Sequence, residues 1–289
     1  MQWRVDIAWS LLRQTSQSWL DDHAPSMGAA LAYYTLFSLA PLLLIVISVA
    51  GLVFGEEAAR GEITLQLQSL MGDAGARAVQ DLLTSVNEPT KGLFATAVGL
   101  LLLLLGATSV FAELQDALDR IWRVPTRIRA NGWLALLRAR LLSFGMILAI
   151  GFLLTVSLLM SAVLALVGRS VEPLFGGWFV VGAVANAIVG FLLVAAMFAI
   201  IYKVLPRARV QWNDVWTGAV FTAILFSLGK LLISLYISRF GVSSGFGAAG
   251  SLVIVLLWVY YSAQVFLFGA EFTWVYARVL GSRQMAVRT

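Results

Sequence analysis

The sequence predicts an all-α, polytopic membrane protein with six membrane-spanning helices, short amphipathic helices and both termini in the cytoplasm. Of its 289 residues, 60% are hydrophobic and 12% are charged. The apolar residues cluster in long runs, which is not the pattern of a water-soluble domain. Several runs exceed the roughly 20 residues that cross about 30 Å of hydrocarbon. Such segments must be helical, because a helix satisfies its own backbone hydrogen bonds in lipid.

Residues 1–27 predict a helix that lies on the cytoplasmic surface of the membrane. Val5, Ala8 and Leu12 recur at helical spacing, and charged residues occupy other positions on the helical wheel. The segment has neither a continuous apolar region nor the small-residue cleavage pattern of a secretory signal. We therefore expect the first membrane helix to act as the insertion signal.

The first span is predicted at residues 28–53. Pro41 removes a backbone hydrogen bond within it and predicts a kink near Ser38. Residues 54–91 are more polar, and their apolar residues recur at helical intervals. They predict an external loop of two short amphipathic helices that are broken near Gly72.

The second span is predicted at residues 92–111, with its helix continuing into a charged segment. Asp116 and Arg120 are four residues apart, as are Asp119 and Arg123. Opposite charges at this spacing face each other on a helix. We expect these residues to pair on the surface of the helix.

The remaining spans complete a membrane domain over residues 28–277, followed by a cytoplasmic tail at 278–289. Asn213 or Asp214 is positioned to cap the fifth span. The remaining four spans are predicted at residues 141–167, 178–201, 215–237 and 249–273.

The distribution of basic residues predicts the orientation in the membrane. Of the 20 lysines and arginines, 14 fall on the side of the two termini, five fall on the other side, and Lys230 lies inside a span. Cytoplasmic segments carry this excess of positive charge. The asymmetry therefore places both termini in the cytoplasm and also accounts for the net charge of +5 without a nucleic-acid partner.

Lys230 is the main candidate for a functional residue. It lies inside the fifth span, where a charge is costly and usually serves a purpose. Ser227 and Ser234 lie three residues before it and four residues after it, so the three side chains form one polar stripe. An alternative is that the lysine extends along the helix to the membrane surface and binds nothing.

Polar side chains on two other spans predict a cavity that this stripe would face. A rise of about 1.5 Å per residue argues against a direct ion pair between Lys230 and Glu271, because the two lie at different depths. Ordinary hydrogen bonds between helices are the alternative for the uncharged members. The candidate cavity residues besides the stripe are Tyr34 and Ser38 of the first span and Tyr260, Tyr261, Gln264 and Glu271 of the sixth.

Catalysis has little support in the sequence. His23 with Asp21 and Asp22 offers metal-ligand chemistry, but a solvated linker before Pro25 explains the same residues. No hydrolase, metalloprotease or phosphate-loop motif is present. There is no cysteine, which removes thiolate chemistry. We therefore expect neither enzymatic activity nor a cofactor.

Four segments resemble the YihY/virulence factor BrkB family of bacterial inner-membrane proteins, formerly labelled ribonuclease BN. The resemblance implies a six-helix inner-membrane protein, and suggests transport or the handling of lipids. The segments that carry it are ALAYYTLFSLAPLL, FAELQDALDRIWRVP, YKVLPRARVQWNDVWTGA and GAAGSLVIVLLWVYYSAQVFLFGAEFT.

The sequence thus favours a transporter or lipid-handling protein whose cavity accepts an anionic or lipid-like substrate. A membrane scaffold that binds other proteins is the alternative, and a membrane-bound ribonuclease is the least favoured. Membrane lipids are the expected partners. A basic segment supplies candidate contacts to anionic headgroups, namely Arg127, Arg129, Arg138 and Arg140.

Overall fold

A computed structural model describes residues 2–86, 109–125, 178–240 and 250–283. These residues are helical apart from short turns, and no strand occurs among them. The predicted all-α class is therefore confirmed for this part of the chain. Residues 109–121 are helical, and the other helices are α1 Gln2–Asp21, α2 Ala24–Phe54, α3 Glu56–Val86, α4 Trp178–Val204, α5 Trp212–Phe240 and α6 Gly250–Val279.

Three helices in the described residues are long and apolar enough to cross a membrane. The candidate spans are Ala187–Val204 in α4, Trp212–Ile233 in α5 and Gly250–Val279 in α6. They overlap the segments predicted as the fourth, fifth and sixth spans, with different bounds. The first predicted span falls on α2.

The second and third predicted spans, 92–111 and 141–167, lie almost wholly outside the described residues. So do the four arginines of the basic segment, Arg127, Arg129, Arg138 and Arg140. The total of six spans and the cytoplasmic position of the termini therefore stay predictions.

Glycine and proline mark the helix boundaries in the first third of the chain. Pro25 lies in the first turn of α2, where its missing N–H costs no hydrogen bond. The helix continues through Pro41 to Phe54. The predicted break near Gly72 is confirmed, because Gly72 has φ 74° and ψ 175° inside α3. Glycine alone tolerates this conformation well, since it has no Cβ.

The predicted cap of the fifth span is wrong. Helix α5 begins at Trp212, so Asn213 and Asp214 lie within its first turn instead of before it. The Asp214 carboxylate accepts hydrogen bonds from the backbone N–H of Ser282 at 3.3 Å and from its hydroxyl at 2.5 Å. The turn after α6 therefore supplies the partners of this buried carboxylate.

The chain forms two compact units. Unit one comprises Met1–Ser16, Leu118–Ile224 and Gly269–Thr289, and unit two comprises Gln17–Ala117 and Leu225–Phe268. Helices α1, α5 and α6 each contribute a segment to both units.

Unit two has an apolar core to which four helices contribute. The amphipathic helix α3 buries one face against α2, α5 and α6. Close packing of these apolar side chains stabilises the arrangement through dispersion contacts. Core members from each helix include Ile47 of α2, Val79 and Leu83 of α3, Ile233 of α5 and Val255 of α6.

In unit one, α5 and α6 pack through two reciprocal glycine–threonine contacts. Thr273 of α6 covers Gly218 of α5, with its Cβ 2.7 Å from where a Gly218 Cβ would stand. Thr222 of α5 covers Gly269 of α6 in the same way, with its Cβ 2.8 Å from where a Gly269 Cβ would stand. Each threonine hydroxyl donates within its own helix at 2.7 Å, to the carbonyl of the glycine four residues earlier. Small residues of this kind let membrane helices approach closely.

Candidate functional site

The polar stripe of α5 lies in unit two and is centred on Lys230. Ser227 and Lys230 are both partly buried and lie one helical turn apart. Ser234 lies on the same face, but its side chain falls outside the described part of the chain. Lys230 is therefore an amine within a candidate membrane span and is not fully exposed.

Tyr261 is the tyrosine that reaches α5 beside this lysine. Its hydroxyl overlaps the space that a side chain at Gly229 would occupy. The same hydroxyl donates to the carbonyl oxygen of Leu225 at 3.4 Å. The tyrosine hydroxyl therefore lies against the backbone of α5 at the residue preceding Lys230. Tyr260, the other candidate, is partly buried on the neighbouring position of α6.

The other predicted cavity residues of unit two make local or helix-to-helix contacts. Gln264 Nε2 donates to the carbonyl oxygen of Pro25 at 3.3 Å, which ties α6 to the start of α2. The buried Ser38 hydroxyl donates to the Thr35 carbonyl at 3.2 Å. The Tyr34 ring contacts the Tyr33 ring edge-to-face, with centroids 5.6 Å apart. The Gln264 contact is a hydrogen bond between helices, which was the alternative to ligand contact, whereas the contacts of Ser38 and Tyr34 lie within α2.

Two buried oxygen atoms on α6 retain hydrogen-bonding capacity. Among the described residues, Ser262 Oγ and Gln264 Oε1 have no hydrogen-bond partner. Buried polar atoms are normally paired with protein, water or a ligand. Unit two thus contains two buried oxygen atoms with open hydrogen-bonding capacity, one and three residues after Tyr261 along α6.

Glu271 belongs to unit one instead of unit two. It lies on α6 and is 0% exposed. The carboxylate is therefore a fully buried group within a candidate membrane span.

A second polar site, the arginine–tryptophan cluster, lies in unit one. Arg123 and Arg278 place their guanidinium carbons 5.2 Å and 4.7 Å from the ring centroid of Trp274. The guanidinium carbon of Arg283 lies 5.0 Å from the ring centroid of Trp122. Both tryptophans are buried, and cations over aromatic faces at this range attract the ring electrostatically.

The helix at 109–121 ends in a turn that positions Arg123. The backbone N–H of Val124 donates to the Asp119 carbonyl at 2.9 Å, and that of Arg123 donates to the Arg120 carbonyl at 3.0 Å. This is the Schellman pattern, in which the residue at the position of Arg123 is usually glycine. Arg123 adopts the required left-handed conformation, with φ 54°.

The turn after α6 positions Arg283. Its backbone N–H donates to the Ala277 carbonyl at 2.9 Å, and the preceding residue is held by the Asp214 carboxylate. Asp214 approaches so closely that a Cβ at Gly281 would lie 3.0 Å from its carboxyl carbon. The side chain of Asp214 thus fixes the segment that places Arg283 over Trp122.

The predicted surface pairing of the acidic and basic residues needs a correction at Asp119. Asp119 is 0% exposed, and its carboxylate accepts from the backbone N–H of Arg207 at 2.8 Å and from its guanidinium at 3.2 Å. A buried carboxylate needs such charge-assisted partners. Asp116 and Arg120 are exposed on the same helix.

Comparison with known proteins identifies the family. The profile described as Virulence factor BrkB matches residues 15–287. The chain belongs to this family. The resemblance expected from the four sequence segments is confirmed, and the chain is a membrane protein of the BrkB group.

The curated relatives of this BrkB-family chain are named UPF0761 membrane protein. One from Pseudomonas aeruginosa (strain LESB58) is 32% identical over 264 residues, covering 89% of this chain and 60% of the relative. One from Ralstonia nicotianae is 31% identical over 271 residues, covering 93% and 59% respectively. One from Tolumonas auensis is 28% identical over 274 residues, covering 91% and 85%.

The BrkB-family chain spans about 60% of the length of the first of these relatives. No solved structure shows significant similarity to it.

The arginine–tryptophan cluster of this BrkB-family chain was not predicted from the sequence. In the sequence its arginines contribute to the charge asymmetry that predicts the orientation, and Arg123 is also expected to pair with Asp119. The spacing of Trp274 and Arg278, four residues apart on one helix, was the available signal. The contributions of Arg123 and Arg283 depend on turns that the hydropathy pattern does not indicate.

Proposed function

We propose that the chain is a non-enzymatic transport or lipid-handling protein of the bacterial inner membrane, with both termini cytoplasmic. Unit two holds the anionic group of the substrate at Lys230. The observation that supports this most directly is a partly buried lysine inside a candidate membrane span, three residues before the span ends at Ile233. The hydroxyl of Tyr261 lies at the preceding residue of the same helix.

Electrostatics supports an anionic substrate. A charge inside a membrane helix usually serves a purpose. An anionic headgroup or metabolite can accept charge-assisted hydrogen bonds from the ammonium group, and the Tyr261 hydroxyl can donate to the same anion in place of the Leu225 carbonyl. The lysine would then contribute substrate affinity as well as charge selectivity.

The open hydrogen-bonding capacity of α6 supports a polar occupant. Ser262 Oγ and Gln264 Oε1 are buried and have no hydrogen-bond partner in the described chain. Both lie within three residues of Tyr261 along α6. Hydroxyl or amine groups of a lipid headgroup can satisfy such acceptors, and so can water.

The test is lipid translocation in proteoliposomes that contain the full chain. Fluorescent phosphatidylglycerol, which is anionic, and fluorescent phosphatidylcholine, which is zwitterionic, are compared by the fraction of label that external dithionite bleaches over time. The wild-type chain should move phosphatidylglycerol faster than protein-free vesicles do. Lys230→Met should abolish the preference for the anionic lipid, and Lys230→Arg should retain it.

Arg239→Met is the matched control, because it removes an exposed cation from the same helix. It should leave translocation unchanged. Rates equal to those of protein-free vesicles would refute translocation of these lipids. Translocation that is intact in Lys230→Met would show that the lysine extends to the membrane surface without contacting substrate.

A scaffold role is the second candidate, and the exposure of Asp116 and Arg120 supports it. Charged side chains on an exposed helix face can specify a protein partner. In this case the double exchange Asp116→Arg and Arg120→Asp should abolish co-purification of that partner and leave lipid translocation unchanged. Unchanged co-purification would refute this role for the helix.

A further inference from the structure

We propose that the arginine–tryptophan cluster of unit one is a binding site for a phosphate-class anion. The anion is either the headgroup of an acidic phospholipid or free inorganic phosphate. Arg278, Arg283 and the indole N–H of Trp122 are its donors, and Arg123 adds a third positive charge. This site goes beyond the proposed function, because it lies in unit one and does not require transport.

Stacking leaves the guanidinium donors available. Arg278 and Arg283 contact Trp274 and Trp122 through the ring faces, at 4.7 Å and 5.0 Å from the centroids. A guanidinium over an aromatic face keeps its five N–H donors at its edge, where they match the oxygen atoms of phosphate. The tryptophans thus orient the arginines while leaving these donors free to bind an anion.

The cluster concentrates positive charge. The guanidinium carbons of Arg123 and Arg278 are at most about 10 Å apart, because they lie 5.2 Å and 4.7 Å from one ring centroid. Within the described chain, no carboxylate forms an ion pair with Arg278 or Arg283. Like charges at this separation repel, and a bound anion converts the repulsion into attraction.

A buried donor provides an independent indication of a ligand. Trp122 is 2% exposed, and its Nε1–H has no hydrogen-bond partner among the described residues. Leaving such a donor unsatisfied destabilises the folded state. Arg283 lies over the same ring, so one anion can accept from its guanidinium edge and from the indole N–H.

The site is tested by calorimetry on the purified full chain in a neutral detergent. The protein carries Lys230→Met, so that binding at the substrate site of unit two does not contribute. Dihexanoyl phosphatidylglycerol, dihexanoyl phosphatidylcholine and inorganic phosphate are titrated separately. Saturable binding of phosphatidylglycerol that exceeds binding of phosphatidylcholine identifies a lipid headgroup, and saturable binding of phosphate identifies the free anion.

Arg278→Gln combined with Arg283→Gln should weaken that binding at least about tenfold, the effect of losing charge-assisted hydrogen bonds. The matched control is Arg209→Gln combined with Arg239→Gln, which removes the same charge from exposed positions and should leave affinity within about twofold.

Trp122→Phe keeps an aromatic face for Arg283 and deletes only the N–H donor. It should weaken binding by about three- to tenfold, with an unchanged elution profile in size-exclusion chromatography. The proposal fails if neither phosphatidylglycerol nor phosphate binds, if binding survives the arginine pair of substitutions, or if Trp122→Phe binds as tightly as its parent. Lipid translocation can fail without any of these results, so the two proposals are separable.

Discussion

Replacing Gly218 by alanine should destabilise the packing of α5 against α6 in unit one. The new methyl group would overlap Thr273 Oγ1 and lie 2.7 Å and 2.9 Å from its Cβ and Cγ2 atoms. Carbon atoms in good contact lie about 3.5–4.0 Å apart. Thr273 cannot easily turn away, since it is 0% exposed and its hydroxyl is bonded to the Gly269 carbonyl.

Two effects of opposite sign set the change in the free energy of unfolding. Alanine in a helix is more favourable than glycine by about 1 kcal/mol. Overpacking a well-filled interface costs about 1–3 kcal/mol, and a clash with both a polar and an apolar atom of a fixed side chain places Gly218→Ala at the upper end. The net expectation is a loss of about 1–2 kcal/mol in the free energy of unfolding.

The measurement is equilibrium unfolding in mixed micelles as the mole fraction of sodium dodecyl sulfate rises, followed by tryptophan fluorescence. Gly190→Ala is the matched control, because nothing lies within 4 Å of a Cβ built at Gly190 in α4. It should be neutral or stabilising. Equal stability of the two variants would refute the packing explanation.

A double substitution identifies the contact responsible. Thr273→Ala removes the Oγ1 and Cγ2 atoms that the new methyl group meets, so Gly218→Ala should cost less in that background. The coupling energy between the two substitutions should be about 0.5–2 kcal/mol and favourable. Strict additivity would place the origin of the destabilisation elsewhere.

Two further predictions concern the turns that build the arginine–tryptophan cluster. Arg123→Gly should be about 1 kcal/mol more stable than Arg123→Ala, because a side chain in the left-handed conformation is penalised; thermal unfolding measures the difference, and equal stability would contradict it. Asp214→Ala should lower the free energy of unfolding by about 1–3 kcal/mol, since Ser282 loses its acceptor, and should increase proteolysis after α6. The exposed substitution Asp116→Ala serves as the control for both measurements.

The helical architecture was predictable because it depends on local pattern. Apolar runs of sufficient length located α4, α5 and α6, since lipid imposes one requirement on every spanning segment. The break in α3 followed from Gly72, which is tolerant of backbone conformations that other residues avoid. Both features depend on residues close together in the sequence.

The contacts between elements were not predictable in the same way. Asp119 was expected on a helix surface, but its partner Arg207 lies 88 residues away in the sequence. The cap expected at Asp214 failed for a similar reason, because Ser282, 68 residues later, provides its donors. A single sequence indicates a charge pattern along one helix and does not give the partner on another.

The candidate site also combines a pattern within one helix, which the sequence shows, with a contact between helices, which it does not show. The alignment of Ser227 with Lys230 was visible from spacing on one helix, whereas the choice between Tyr260 and Tyr261 depends on how α6 is rotated about its axis. Gly229 decides it, because the Tyr261 hydroxyl occupies the space beside this glycine and donates to the backbone of α5 at Leu225.

The reciprocal glycine–threonine contacts of unit one also fix the alignment of α5 with α6. A slip of one helical turn in one direction would set Thr222 against Thr273, with no glycine to receive either side chain. A slip in the other direction would set Gly218 against Gly269 and leave a void. Both contacts are therefore lost together, so only one alignment of α5 with α6 keeps either of them. The segments of α5 and α6 in unit one should consequently move as one rigid body in any conformational change.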